Sequence, residues 1–109
     1  MSIEPGKFAE VSSATLEALD TMLGDLEHDD LDVDLAGDVL TLGFADGVDF
    51  ILNAHSAAGQ IWMAANRDAW HFDYQEASGQ WVAGKTGDEL LATVARVVGD
   101  KLGSPVRIP

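Results

Sequence analysis

From Leu31 to Ala83 the chain reads as a series of short strands separated by turns, with almost no room between them. Leu31, Val33 and Leu35 alternate with Asp30, Asp32 and Asp34. A period of two puts the first set on one face of a strand and the second on the other. VLTLGF (39–44) follows, with Leu40, Leu42 and Phe44 sharing a face. Further strands are expected over 48–55, 60–64, 69–74 and 80–83. Ala36-Gly37-Asp38 and Ser78-Gly79 read as turns, SAAG (56–59) breaks the chain, and Asp46-Gly47 signals a two-residue hairpin loop. Connections this short force antiparallel pairing, because a parallel crossover needs a dozen or more residues.

Helical periodicity flanks this region. After Pro5, which suits a first helical turn, Phe8, Val11, Thr15, Leu19, Met22 and Leu26 recur every three or four residues, with Leu16 and Leu23 widening the stripe. Glu10, Glu17 and Asp20 fall on the opposite, wet side, and Gly24 marks the end. Near the other terminus Thr86 and Glu89 match a capping box. Leu90, Leu91, Val94, Val97, Val98 and Leu102 give the second helix its stripe, and Gly103 and Pro105 stop it. Two terminal helices can cover only one sheet face. The expected fold is therefore α+β: a two-layer sandwich with both helices on one side of an antiparallel sheet of about six strands, forming one domain over residues 1–109.

Charge narrows the possible functions. The 109 residues carry a formal charge of −13, while 47% are hydrophobic, enough for a packed core. Nucleic acid and anionic membranes are excluded as partners on charge, and basic protein surfaces or cations are favoured. There is no cysteine, hence no disulfide and no thiolate metal site. The start, MSIEPGKFAE, has no apolar core of a signal peptide, so a cytoplasmic protein is expected. The acid is concentrated. Residues 8–66 contain no Lys or Arg, and LEHDDLDVDL (26–35) holds Glu27, Asp29, Asp30, Asp32 and Asp34.

Carboxylates on alternate strand residues stand about 6.5–7 Å apart, so each neighbouring pair repels by roughly 0.6 kcal/mol in water. Hard cations such as Ca²⁺, Mg²⁺, Mn²⁺ and Fe²⁺ would relieve this repulsion. No loop here has the ligand pattern of a closed calcium site, so binding would be weak and poorly selective. A merely solvating row of acids fits the same residues. His28 is either a nitrogen donor beside the acids or a solvated loop residue.

Alternation also collects Asn53, His55, Gln60, Trp62 and His71 on the uncovered sheet face. An exposed Trp ringed by polar groups suits a protein contact, while Trp70 and Trp81 fit the core. His55 and His71 are two further nitrogen donors, with no third in sight. No nucleophile elbow, phosphate-binding loop or HExxH motif is present, so no catalytic residue is expected.

The stretch DVLTLGFADGVDFILNAHSAAGQIWMAANRDAWHFDY, followed by GQWVAGKTGDELL, resembles the frataxin family, its bacterial members in particular. The likeness rests on Val39-Leu40-Thr41-Leu42 with Asp46-Gly47, Ile51-Leu52-Asn53, Gln60-Ile61-Trp62-Met63 and His71-Phe72-Asp73. Two loops depart from the family's common pattern: Ala54-His55-Ser56-Ala57 replaces Gln-x-Pro after the Asn, and Met63-Ala64-Ala65-Asn66 follows the Trp. The resemblance implies the sandwich described above. It implies weak binding of iron, Fe²⁺ or Fe³⁺, at an acidic ridge made here of Glu17, Asp20, Asp25, Glu27, Asp29, Asp30, Asp32 and Asp34. Other divalent cations would bind there too. It further implies docking, through the ridge and the Asn53, His55, Gln60, Trp62 and His71 patch, on a cysteine desulfurase and its iron–sulfur scaffold protein. The chain would serve that complex as iron donor or regulator. A monomer that iron drives into oligomers is expected, with at most weak ferrous oxidation. The alternative is an acidic protein-binding module with incidental metal affinity.

The charge alone carries a testable consequence. The melting temperature should rise with added salt, and rise further in millimolar Mg²⁺ through binding to the native state. Identical melting curves in water, salt and Mg²⁺ would contradict it.

Overall fold

A computed structural model describes residues 3–108. The element order is α1 (Pro5–Gly24), β1 (Leu31–Ala36), β2 (Val39–Phe44), β3 (Asp49–His55), β4 (Gln60–Ala65), β5 (Asp68–Gln75), β6 (Gln80–Ala83) and α2 (Leu90–Leu102). The strands form one six-stranded sheet in the order β1-β2-β3-β4-β5-β6, each antiparallel to the next. Short connections produce this meander directly, since each strand pairs with the one it has just left. Gly37-Asp38 and Asn66-Arg67 make the tightest turns.

The pleat sorts the side chains. In-register neighbours Leu40, Leu52, Met63 and Trp70 all point to the covered face. Both helices pack against that face and share one core with it, including Leu16, Leu19 and Leu23 from α1 and Leu90, Val94 and Val98 from α2. Phe50 and Phe72 have no accessible surface. Burying a side chain of this size stabilises by about 1.5–3 kcal/mol. Trp81 joins the layers: Phe8 meets it edge-on at 5.8 Å, and its indole N–H donates to Thr15 Oγ1 at 3.0 Å. That bond satisfies the one polar group an otherwise apolar ring brings into the core.

Three details differ from the sequence reading. The α1 stripe is rotated: Phe8, Ser12, Leu16, Leu19 and Leu23 are buried, while Val11, Thr15 and Met22 are half-buried. Leu26 lies beyond the helix and is exposed. The rotation leaves Glu10 and Glu17 exposed but Asp20 half-buried. The Asp46-Gly47 turn is longer than two residues, because β2 ends at Phe44 and β3 begins at Asp49. Asp46 Oδ1 accepts the Val48 N–H at 3.0 Å, which holds the wider loop.

The capping box also moves. Glu89 is itself the N-cap of α2, its carboxylate accepting the N–H groups of Leu91 and Ala92 at 2.9 and 3.0 Å. The chain cannot turn helical earlier, because Glu89 is extended and bridges to Val82 of β6. Thr86 serves Asp88 instead: its hydroxyl donates to Asp88 Oδ2 at 2.9 Å, and Trp70 Nε1–H reaches the same oxygen at 3.1 Å.

At the end of α2, Gly103 adopts φ +73° and closes the helix onto Gly99. The tail then recrosses the helix at Gly99, where a Cβ would lie 3.2 Å from the Ser104 carbonyl oxygen. Val106 and Ile108 of this tail pack against the core.

Among the described residues there is one ion pair, Lys101–Asp46, which ties the end of α2 to the β2–β3 turn. The Lys101 ammonium, followed by the Val48 N–H, holds the Asp46 carboxyl below its ordinary value of 3.8. The Thr86 hydroxyl and then the Trp70 indole do the same for Asp88. Both groups have folded values below their unfolded ones. Their stabilisation is present above the unfolded value and is lost as pH falls through the folded one. Asp88→Asn should therefore flatten the fall in melting temperature between about pH 5 and pH 2.5; an unchanged slope would refute the assignment. Glu89→Ala should cost about 1 kcal/mol through the lost cap, read by urea denaturation.

Candidate docking face and acidic edge

The residues expected to matter lie in two places that the sheet joins. On β1, Asp32 and Asp34 are exposed on the uncovered face, opposite Gly43 and Thr41 of β2. Those residues in turn face Asp49 and Ile51 of β3. Asp49 therefore belongs to the same acidic surface, a member the sequence reading missed. Its Oδ1 sits 3.4 Å from where a Cβ on Gly43 would be, so the glycine leaves the space across which this carboxylate leans. The signal was available in the pairing of VLTLGF with DFILNAH, but the wrong loop length obscured the register.

The remaining acids follow the connection from α1. Glu17 is exposed on the helix, and Asp25 is its C-cap. Glu27, Asp29 and Asp30 are exposed in the loop, Glu27 with φ +49°. A non-glycine residue in that region costs about 1–2 kcal/mol. The last turn of α1 carries no base. The helix thus directs its negative end, about half an elementary charge, toward a stretch that is already acidic. Both effects deepen the negative potential that a cation or a basic surface would meet.

Among the described residues no three His, Asp or Glu side chains come together to hold one ion. His28 Nδ1 accepts the Asp30 N–H at 3.1 Å, leaving only Nε2 for a metal. Asp30 lines a small cavity with Asp46 and Lys101, whose ammonium is already paired with Asp46. The donor set is hard, exposed and open. It fits loosely held, exchangeable cations and does not fit a resident metal cofactor.

The second place is centred on β4. Trp62 lies directly opposite Asn53 on one side and His71 on the other, and Gln60 lies opposite His55 and Asp73. The five residues expected on this face are together there. Trp62, however, is half-buried rather than fully exposed. His55 stacks on one of its faces, 3.9 Å between ring centroids and 11° from parallel. His71 stacks on the other, at 4.4 Å and 15°. The indole separates the two imidazoles, so they cannot share a metal ion. Trp62 Nε1–H donates to Gln60 Oε1 at 2.8 Å, and Gln60 Nε2 donates to Asp73 Oδ1 at 3.1 Å. Beside the stack lies a shallow, mainly apolar concavity of about 240 Å³, lined by Ile51, Asn53, Ala64 and Ala69 among others. Ile51 and Val39, 41% and 37% accessible, are among the most exposed large apolar side chains. An apolar strip flanked by carboxylates is the result.

The model of the frataxin-like domain matches residues 1–104. The chain belongs to the frataxin family. It is similar to the iron–sulfur cluster assembly protein CyaY of Azotobacter vinelandii, at 33% identity over all of this chain and 98% of the relative. The CyaY of Thioalkalivibrio sulfidiphilus is 38% identical over 86% of this chain and 89% of its own length. Among solved structures, a frataxin from Psychromonas ingrahamii superposes with a TM-score of 0.86, covering 95% of this chain and 96% of that one. At 23% identity this last likeness speaks for the fold, which is the frataxin sandwich. The acidic edge and the Trp62 face both lie inside the span matched to the frataxin-like domain. No helix of the described residues is long and apolar enough to cross a membrane.

Proposed function

We propose that this frataxin-family chain acts in iron–sulfur cluster assembly, as its relatives named for that process do. It carries Fe²⁺ or Fe³⁺ as weakly held cargo on the acidic edge. Its uncovered sheet face docks on the cysteine desulfurase and its scaffold protein. The observation that carries the reading is the continuity of Asp32, Asp34 and Asp49 with the Ile51–Trp62 strip on one open face. A basic partner surface would be steered by the carboxylates and seated by the apolar strip. Iron would be exchanged rather than stored, because the donors are exposed and never enclose it.

The chain acts here as iron donor or as regulator of the desulfurase, and has no catalytic residue of its own. Any ferrous oxidation would follow from iron ions gathered on the edge. A second reading, an acidic docking module with incidental metal affinity, is favoured by the lack of three converging donors among the described residues.

Amide NMR during an Fe²⁺ titration separates the two readings. Signals of Asp30, Asp32 and Asp34 should broaden at sub-millimolar iron. If they stay sharp, the edge does not bind iron and the second reading holds. In the capture of a bacterial cysteine desulfurase, Trp62→Ala should lose about 2 kcal/mol, roughly thirtyfold in affinity. Undiminished capture removes Trp62 from the interface.

A further inference from the structure

Three rings stand side by side across β3, β4 and β5: His55, Trp62 and His71. Imidazole is the side chain whose ordinary titration crosses the range from pH 5 to 8. Here two imidazoles cover both faces of the one large aromatic ring at the centre of the open sheet. His55 has a further tie. Its Nδ1 accepts the N–H of Ala58 at 3.3 Å, which pins the β3–β4 turn, residues 56–59, to the stack. That bond requires a lone pair on Nδ1 and therefore the neutral ring. Protonation would place a hydrogen where the Ala58 N–H points, so the turn would lose its side-chain anchor. The stack itself would survive, because a cation over an indole face is attracted to it.

We infer that the His55–Trp62–His71 stack makes the open face proton-sensitive. With neutral rings the face is acidic and its turn carries a side-chain anchor; on protonation the face gains positive charge at its centre, and the turn keeps only its backbone bonds, Ala58 N–H to the His55 carbonyl and Gly59 N–H to the Ser56 carbonyl, both at 3.2 Å. The groups around the stack define the balance. Asp38 approaches from the β1–β2 turn, where its carbonyl accepts the Ala54 N–H at 2.9 Å. β4 contributes no ionisable group, only Gln60 and Trp62. β5 contributes Asp73, held through Gln60. The connection after β6 brings Lys85 to the cavity that His71 and Asp73 also line. Asp49 lies farther along β3. The one base in this set is Lys85 against three carboxylates, so two imidazolium ions would neutralise the charge around Trp62. A basic partner would then bind more weakly.

This inference rests on the docking reading for its consequence but not for its mechanism, and the two are tested separately. The mechanism is read by following the Trp62 indole N–H and the Ala58 amide by NMR from pH 8 to pH 5. The Ala58 signal should follow His55 alone, and the Trp62 signal should follow both rings. In His55→Phe, which keeps a stacked ring but cannot titrate, the Ala58 transition should vanish. In His55→Phe/His71→Phe the Trp62 transition should vanish as well. Static signals in the wild type, or transitions that persist in the double variant, would overturn the inference. Denaturant melts of each variant identify any loss of fold, and His55→Gln gives a second non-titrating ring-free control.

The consequence is read by desulfurase capture at pH 7.5 and 5.5. Wild-type affinity should fall roughly two- to fivefold more than that of the double variant, the range expected for exposed charge contacts. Equal falls in both proteins would overturn the docking consequence. No capture at any pH would sink the docking reading and leave the NMR result to decide the stack.

Discussion

Antiparallel pairing between consecutive strands governs the rest of this molecule. Each strand hydrogen-bonds to the one before it, so the pleat is carried in register from β1 to β6. One face then receives Leu40, Leu52, Met63 and Trp70 and must be covered. The helices at the two ends of the chain cover it. Among the described residues no segment covers the opposite face, and its residues are whatever the alternate positions supply. Core and candidate site are thus two sides of one pairing pattern.

That pattern explains how acidic and aromatic features come to share a surface. Asp34, Thr41 and Ile51 form one cross-strand row, and Asn53, Trp62 and His71 form another beside it. A single-residue slip between β2 and β3 would send Ile51 to the core and expose Phe50. The Lys101–Asp46 pair and the Asp46–Val48 bond sit at the turn that guards this register. Among the described residues none of the acidic-edge carboxylates forms an ion pair, so their mutual repulsion persists in the folded state. Proteins commonly accept such a cost where a surface must attract something.

Much of the fold was legible in the sequence because its signals are local. Alternation from Leu31 to Leu35, the Gly103 stop and the inward places of Trp70 and Trp81 all depend on neighbours within a few residues. Where a local signal had two solutions, the sequence reading went astray. Thr86 and Glu89 have capping-box spacing, but the bridge from Glu89 to Val82 holds the chain extended, so Glu89 caps alone. The α1 stripe was expected to centre on Val11, Thr15 and Met22, but those are half-buried, and Ser12, Leu16 and Leu23 are the buried residues. The family resemblance, carried mostly by residues 39–73, was sound, and the frataxin-like match covers residues 1–104.

The candidate site divides along the same line. By itself the sequence determined that residues 26–35 are acidic without compensating bases, and that Asn53, His55, Gln60, Trp62 and His71 share a face. Composition and period-two geometry suffice for both. Only the tertiary structure decided that Asp49 joins the acids, that Trp62 is sandwiched and half-buried, and that His55 and His71 are kept apart by an indole. These facts depend on which residues meet across strands and on how rings stand relative to one another. Neither is encoded in spacing along one strand; both appear when the register is set and the side chains must share the space it leaves.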